Sequence, residues 1–255
     1  MSLFRFYTAW HEYERDAGNA FERAAGSQVV VIAICEVGKM KANIQKTTPE
    51  SISQAAKLLA RGELIVWCTD TVYGIAAAIR FPEAIRRVYE VKGRSFSEAL
   101  QVAMPPADVP KHAAVDRWQH EVMTRLLPAP ISFIVPNRAV PAYVNSGLST
   151  VCIGWQNEGI MRQLYDESGG PYIGTSANPH GSPSAVRVEQ VAEYFGDRIP
   201  LYLDGGTTKF GTPNTIIDLT ARPISMLRKG PLDISEIERM IAERVKVPRS
   251  DRAAS

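Results

Sequence analysis

The chain alternates apolar segments, each the length of a β-strand, with segments whose apolar residues recur at helical spacing. Several connections are too short to contain a crossover helix, so we expect a sheet with both parallel and antiparallel strands. The pattern therefore predicts a layered α/β fold. Helices are expected at 48–62, 82–89, 118–127, 159–165, 188–195 and 234–245, and strands at 64–68, 75–79, 131–135, 151–153, 201–204, 215–219 and 225–228.

Three polar segments leave the ends of these units, and such loops commonly form the rim of a cleft. Alone, each also fits an ordinary turn or a solvated loop. Lys92 and Arg94 follow a predicted helix, so we expect them in a loop, where they form a pair of fixed cations for phosphate. A hydroxyl and an amide in the third segment offer neutral hydrogen bonds to a substrate. The segments are Thr69-Asp70-Thr71-Val72-Tyr73-Gly74, Lys92-Gly93-Arg94 and Thr175-Ser176-Ala177-Asn178.

Composition and charge exclude several classes of protein. Lys and Arg number 29 against 27 Asp and Glu, so any contact with nucleic acid must be local. The three cysteines are far apart without C-x-x-C spacing, which predicts free thiols in a reducing cytosol and no protein metal site. The longest apolar segment, 29–35, is far shorter than the ~18 residues of a membrane helix. Acidic residues within the first 25 positions argue against a cleaved targeting segment.

Two further motifs follow the polar segments in order: Gly211-Thr212-Pro213-Asn214-Thr215-Ile216-Ile217-Asp218-Leu219 and Leu227-Arg228-Lys229-Gly230. Together the five motifs resemble the YrdC/YciO family, over residues 48–238. Well-studied members of that family make threonylcarbamoyl-AMP from threonine, bicarbonate and ATP. The resemblance implies a twisted, open YrdC-like α/β fold with a large concave cleft. We expect an N-terminal extension at 1–47 with a helix at 5–25 and a strand at 29–35, a catalytic domain at 48–240, and a helix end with a frayed tail at 241–255.

The resemblance also implies which residues act. It assigns a catalytic tetrad to Lys92, Arg94, Ser176 and Asn178. It assigns threonine binding to Thr69, Thr71, Tyr73 and Thr175. It assigns nucleotide binding to the tetrad together with Ser132, Asn214 and Arg228.

The implied activity is that of an L-threonylcarbamoyladenylate synthase. Its substrates would be ATP with Mg²⁺, L-threonine and bicarbonate, and its product would pass to a threonylcarbamoyl transferase for tRNA N6-threonylcarbamoyladenosine modification. The resemblance further implies a cytoplasmic location and no membrane association. A weak or transient contact with tRNA or double-stranded RNA is an additional expectation.

Three positions depart from the family pattern and alter the expected charge of the site. Glu98 replaces a lysine, Gly154 replaces an arginine, and Asn214 replaces a serine. The first two changes remove about three units of positive charge. Either Lys209 or Lys229 compensates, or the chain is a paralogue that acts on another amino acid or on a carbamoyl-adenylate. A non-catalytic RNA-binding module is a third alternative, and a strong salt dependence of RNA binding would distinguish it.

Overall fold

The computed structural model describes residues 42–245, which lie within one compact unit, Lys39–Ser255. The helix predicted at 5–25 and the strand predicted at 29–35 lie outside the described residues, and so does the tail after residue 245. Cys35 and His11 lie outside them as well.

Ten strands and eight α-helices form this part of the chain. The strands are β1 Ile44–Lys46, β2 Ile65–Cys68, β3 Tyr73–Ala78, β4 Gln101–Ala103, β5 Ile131–Pro136, β6 Thr150–Gly154, β7 Tyr172–Ser176, β8 Tyr202–Asp204, β9 Thr215–Asp218 and β10 Ser225–Arg228. The helices are α1 Pro49–Leu59, α2 Pro82–Lys92, α3 Val109–His112, α4 Arg117–Leu126, α5 Ala142–Asn145, α6 Glu158–Ser168, α7 Val188–Phe195 and α8 Ile234–Arg244. Two short 3-10 helices, Pro106–Asp108 and Gly196–Arg198, join some of them.

The strands form a single mixed sheet in the order β1-β8-β2-β3-β7-β4-β6-β5-β9-β10. Strand β3 runs antiparallel to β2 and β7, and β4 runs antiparallel to β7 but parallel to β6. Strand β5 pairs with β6 in antiparallel and with β9 in parallel orientation. The predicted α/β class and mixed sheet are confirmed.

Local sequence signals explain where the helices flanking the site begin and end. Thr48 caps α1, since its side chain accepts a hydrogen bond from Ser51 N while the Ser51 hydroxyl accepts one from Thr48 N. Pro49 occupies the first turn, where its missing N–H costs nothing. Helix α2 ends at Gly93, whose positive φ of 60° is readily adopted by glycine. That stop directs the chain into the Arg94 loop.

The structure corrects several details of the sequence prediction, and it places Tyr73 and Gly74 in β3 rather than in the loop before it. Lys92 is the last residue of α2 rather than a loop residue, and it is buried. Thr175 and Ser176 lie within β7 instead of following it. Strands β1 and β4 were not predicted, because three residues are too few for a period-2 pattern to show. Strand β1, which falls within the predicted 1–47 extension, pairs in parallel with β8.

No helix between residues 42 and 245 combines the length and the apolarity that crossing a bilayer requires.

Candidate functional site

A cleft of about 300 Å³ opens on one face of the central strands. Directly paired residues of antiparallel strands project from the same face, which places Ser176 beside Gly74 and Gln101 beside Gly174. Four of the five sequence motifs contribute to this cleft at more than one position, and the Lys92-Gly93-Arg94 motif contributes Arg94. The lining residues are Trp67, Thr69, Thr71, Val72, Tyr73, Gly74, Arg94, Ala99, Gln101, Ile134, Cys152, Gln156, Gly174, Thr175, Ser176, Pro213, Asn214, Ile216, Leu227 and Arg228.

Glycines make room for the Trp67 indole at one side of the cleft. A Cβ on Gly74 would lie 2.9 Å from the Trp67 ring, and one on Gly174 would lie 3.3 Å from it. Any side chain at Gly74 would therefore displace the indole. The glycines of β3 and β7 allow the ring to lie flat against the sheet, where it forms a rigid wall.

Hydroxyl groups from the loop between β2 and β3 and from the end of β7 line the cleft on the side of Trp67. The Thr69 hydroxyl accepts hydrogen bonds from the backbone N–H groups of Thr71 and Val72 at 3.1 and 3.2 Å, and donates to Val72 O at 2.6 Å. These bonds hold the loop between β2 and β3 in a tight turn. Thr69 therefore shapes the loop, and its contact with the Thr71 hydroxyl at 3.0 Å orients that second group.

Arg94 reaches the cleft from the loop after α2, where several protein groups hold it. Its Nη2 donates to Ala99 O at 3.0 Å, and its Nη1 donates to the Thr175 hydroxyl at 3.4 Å. The Glu98 carboxylate lies 3.2 Å from Arg94 Nε and 3.7 Å from His180 Nδ1. The glutamate that replaces the family's lysine thus partly neutralises Arg94.

Lys92 lies behind this rim and is only 4% exposed. Its ammonium donates to Ser176 O at 2.5 Å and to Asn178 O at 2.6 Å, which ties the end of α2 to the segment after β7. Burial, reinforced by the nearby Arg94 charge, lowers the pKa of Lys92 to about 7. The side chain therefore both braces the Ser176 segment and places a titratable amine beside it.

We expect a pH profile that reports this amine. Above pH 7 the free protein loses the Lys92 charge, so kcat/KM should fall about tenfold per pH unit until another step limits the rate. Bound polyanion stabilises the ammonium, so the corresponding limb of kcat should move to higher pH. The unfolded chain binds this proton up to about pH 10.4, so the free energy of unfolding should rise between pH 7 and that value. Steady-state rates and denaturant unfolding across pH 6–10 test both trends. If the fall in kcat/KM above pH 7 persisted in Lys92→Arg, it would belong to a group other than Lys92.

Two other predicted residues, Asn178 and Tyr73, use side-chain donors or acceptors in contacts within the protein. Asn178 Nδ2 donates to Pro179 O and Ser182 O, and Asn178 Oδ1 is buried without a partner in the described part of the chain. The Tyr73 hydroxyl donates to Gly206 O at 2.7 Å and accepts from Gly205 N at 3.2 Å. Tyr73 is fully buried, so it fixes the turn after β8.

The position of the missing arginine is occupied by amide side chains. A Cβ on Gly154 would lie 2.5 Å from Gln101 Nε2, 2.8 Å from Gln156 Nε2 and 2.9 Å from Ser132 Oγ. Asn214 Nδ2 donates to Ser132 Oγ at 2.9 Å, and Ser132 Oγ donates to Gln101 Oε1 at 2.6 Å. We call these four residues the amide cluster: Gln101, Ser132, Gln156 and Asn214.

Neither lysine proposed to compensate reaches the cleft. Lys229 forms an exposed ion pair with Asp233 at 2.8 Å, and Lys209 lies over the Phe210 ring. The residues that line the cleft include neither of them. Neutral amides therefore occupy the position of the missing arginine, and neither lysine restores the lost charge.

The opposite side of the cleft is apolar, with one cation beside it. Ile134, Ile216 and Leu227 line this side, and Leu227 is 59% exposed at the rim. Arg228 Nε donates to Asn214 O at 3.0 Å, which fixes the guanidinium next to the amide cluster. Burial, together with the Arg94 charge, lowers the pKa of Arg228, which nevertheless remains cationic near neutral pH. Burial raises the pKa of Cys152 to about 12, so this residue stays a thiol.

The structure brings most of the predicted site residues to one cleft. Eight line it directly: Thr69, Thr71, Tyr73, Arg94, Thr175, Ser176, Asn214 and Arg228. Lys92, Ser132 and Asn178 do not line it: Lys92 contacts Ser176, Ser132 contacts Asn214, and the Asn178 amide contacts Ser182 O. The sequence interpretation missed Trp67, Gln101 and Gln156. Of these three, only Gln101 had a signal in the sequence, because it directly follows the segment 92–100 that contains Lys92, Arg94 and Glu98.

No group of three or more His, Cys, Asp or Glu side chains between residues 42 and 245 is arranged to hold a metal ion. The cleft lining likewise contains no Asp or Glu.

The chain is similar to one protein family and to named enzymes within it. The Sua5_yciO_yrdC family model, described as "Telomere recombination", matches residues 57–230. Threonylcarbamoyl-AMP synthase of Pyrococcus abyssi is 32% identical over 211 residues, covering 79% of this chain and 60% of the relative. The enzyme of that name from Bacillus subtilis is 32% identical over 201 residues, covering 76% of this chain and 58% of the relative. The chain thus spans about 60% of the length of these relatives.

Solved structures agree with the fold. The crystal structure of P. abyssi Sua5 complexed with L-threonine superposes with a TM-score of 0.72 at 31% identity, covering 80% of this chain and 61% of that one. Escherichia coli YciO superposes with a TM-score of 0.68 at 21% identity, covering 77% of this chain and 98% of that one, which supports the fold alone.

Proposed function

Because the chain belongs to the Sua5/YciO/YrdC family, we propose that it forms L-threonylcarbamoyl-AMP and pyrophosphate from L-threonine, bicarbonate and ATP. The observation that carries this proposal is one cleft that combines hydroxyl groups at one side, the cations Arg94 and Arg228, and an apolar wall beside Arg228. An amino acid with a hydroxyl side chain suits the first region, a phosphate the second and a nucleobase the third. The P. abyssi relative with the same fold has been crystallised with L-threonine.

The reaction needs positioning and charge stabilisation rather than a protein nucleophile. The threonine amine attacks the carbon of bicarbonate, water leaves, and a carbamate forms. A carbamate oxygen then attacks the α-phosphorus of ATP, a new P–O bond forms, and the bond to pyrophosphate breaks. Arg94 and Arg228 stabilise the charge on the phosphoryl oxygens of ATP. Lys92 holds Ser176 in position at the cleft through its hydrogen bond to Ser176 O. Mg²⁺ would enter with ATP and would neutralise charge on the phosphate oxygens, while Arg94 and Arg228 would contact the same phosphates from the cleft.

Pyrophosphate release across a panel of amino acids tests this function. We expect release with threonine, ATP and bicarbonate, loss of about 100-fold or more in Ser176→Ala, and a product with the mass of threonylcarbamoyl-AMP. Ser225→Ala, which removes an exposed hydroxyl on β10, should match the parent. No release with any amino acid would contradict the proposal.

A second candidate function follows from Glu98 and the amide cluster. A carboxylate beside Arg94 and neutral amides at Gly154 make the cleft less suited to a triphosphate and more suited to an uncharged group. An enzyme that acts on another amino acid or on a carbamoyl-adenylate would need such a cleft, with less positive charge and more neutral hydrogen-bonding groups. In the same panel, it would release pyrophosphate with a different amino acid, or would bind the adenylate in preference to ATP.

Glu98→Lys should tighten ATP binding. The change replaces a negative charge that is 39% exposed with a positive one beside Arg94, so we expect the KM for ATP to fall by about five- to tenfold at low salt. The gain should shrink in 0.5 M salt because screening weakens it. Glu193→Lys makes the same charge change on the exposed surface of α7 and should leave the KM unaltered. An unchanged KM in Glu98→Lys would show that Glu98 does not influence the nucleotide.

The cellular context belongs to the same proposal. The product would pass to a threonylcarbamoyl transferase acting on tRNA in the cytoplasm. Any contact of this chain with tRNA or double-stranded RNA would be weak, and its affinity would fall steeply with salt.

A further inference from the structure

The amide cluster is oriented by a one-way chain of hydrogen bonds. Asn214 Nδ2 donates to the Ser132 hydroxyl, and that hydroxyl donates in turn to Gln101 Oε1. Ser132 is fully buried and uses its single proton for Gln101, so both amides are held in one orientation. Asn214 therefore has its Oδ1 left over as an acceptor, and Gln101 has its Nε2 left over as a donor.

The remaining acceptor is costly unless a ligand satisfies it. Asn214 is 5% exposed and lines the cleft, and its Oδ1 has no hydrogen-bond partner among residues 42–245. A buried carbonyl oxygen without a donor loses its hydration without compensation. Beside it, Gln101 Nε2 and Gln156 Nε2 converge above Gly154. The cluster thus holds a buried, unpaired acceptor at the cleft wall, near donors above Gly154.

We propose that Gln101 and Asn214 are specificity-determining residues that bind a neutral, planar group carrying an N–H beside an acceptor atom. This inference rests on the proposed function, for which it identifies the recognised part of the ligand. Gln101 Nε2 donates to the acceptor atom of that group, and Asn214 Oδ1 accepts from its N–H. A phosphate oxygen does not fit this position, because it brings a second acceptor against Asn214 Oδ1.

Two parts of the substrates have this chemistry, the carbamoyl group and the edge of a purine base. The position in the sheet favours the carbamoyl group. Gln101 pairs with Gly174, two residues before Ser176, and Arg228 lies on the other side of the cluster against Asn214 O. A group bound there lies between the amino-acid region and a phosphate-binding cation. In threonylcarbamoyl-AMP, the carbamoyl group likewise lies between the amino acid and the phosphate.

Binding of small probes tests this inference without turnover. Carbamoyl phosphate and acetyl phosphate have similar size and the same phosphoryl group, but only the former has an N–H. We expect the parent protein to bind carbamoyl phosphate about five- to tenfold more tightly by calorimetry. Asn214→Ser should remove that preference, whereas Gln101→Leu should weaken both ligands by about tenfold. Gln163→Leu, on α6, should behave as the parent.

A second arm compares AMP with purine riboside 5′-monophosphate, which lacks the exocyclic amine and has no N–H on that edge of its base. In one outcome, Asn214→Ser removes a preference for AMP and leaves the carbamoyl preference intact. That result would show that the cluster binds the edge of the purine base. The N–H and acceptor pair would then still be the recognised group, but the purine would replace the carbamoyl group as its source. Equal affinities for both probe pairs in the parent, or preferences unchanged in both variants, would overturn the inference. A protein that shows the carbamoyl preference but releases no pyrophosphate with threonine would instead contradict only the proposed function.

Discussion

Lys92→Ala should lower pyrophosphate release by about 10³-fold. The variant removes a cation beside the cleft and leaves the carbonyl groups of Ser176 and Asn178 without their buried donor. Loss of a single preorganised donor costs about 10²–10³ in kcat, and here the same change also releases the Ser176 segment. Initial rates at saturating threonine and ATP measure the effect, together with nucleotide affinity by calorimetry.

Two further variants separate chemistry from folding. Lys92→Met keeps most of the buried volume, so its melting temperature should exceed that of Lys92→Ala while its activity remains as low. Lys57→Ala removes an exposed lysine from α1 and should retain full activity. If Lys92→Met retained activity within tenfold of the parent, the ammonium would have no role in the reaction.

Gly230→Ala should destabilise the protein by about 3 kcal/mol. A Cβ at this position would lie 2.3 Å from Thr215 N, 2.4 Å from Pro213 O and 2.6 Å from the Asn214 carbonyl carbon. All three are backbone atoms, so no side-chain rotation relieves the overlap, and overpacking of this kind costs about 1–3 kcal/mol or more. Equilibrium unfolding in urea measures the change.

The same substitution should also weaken ligand binding. The backbone that must move carries Asn214, which orients the amide cluster and accepts a hydrogen bond from Arg228. Gly159→Ala provides the matched control, because a Cβ there would be no closer than 3.4 Å to another atom and alanine favours the helix. Stability of Gly230→Ala equal to that of the parent would show that the segment after β10 is free to move away from β9.

The sequence predicted the elements with strong periodic or capping signals. Helix α1, with Thr48 and Pro49 at its start, and helix α7 have the predicted positions to within a few residues. Strand β4 was missed because three residues pair with two neighbours through backbone hydrogen bonds that leave little trace in composition. The burial of Lys92 was also missed, since lysine is normally exposed and only its two carbonyl partners explain its position.

Ordered motifs predicted which loops meet at the cleft, but not what each side chain does there. Thr69 and Thr71 were expected to bind a substrate, and the structure shows the Thr69 hydroxyl occupied by its own turn. The loss of an arginine at Gly154 was interpreted as a loss of charge and, with Trp155, as a change in the shape of the cleft wall, but the side chains that fill the space were not identified. The space at Gly154 is filled by Gln156, only two residues further along the chain, and by Gln101, which is more than 50 residues away in sequence, so no local pattern reveals that the two amides meet there.

The overlap at Gly154 also constrains how such a site can change over generations. Gly154→Arg alone would place a side chain where Gln101, Gln156 and Ser132 already meet. Gln101 and Gln156 meet that position with the ends of flexible side chains, so both amides would have to rotate away, and Gln101 would lose its hydrogen bond from Ser132. The effect of an arginine at this position therefore depends on the side chains at positions 101 and 156, and substitutions at these contacting positions should be non-additive.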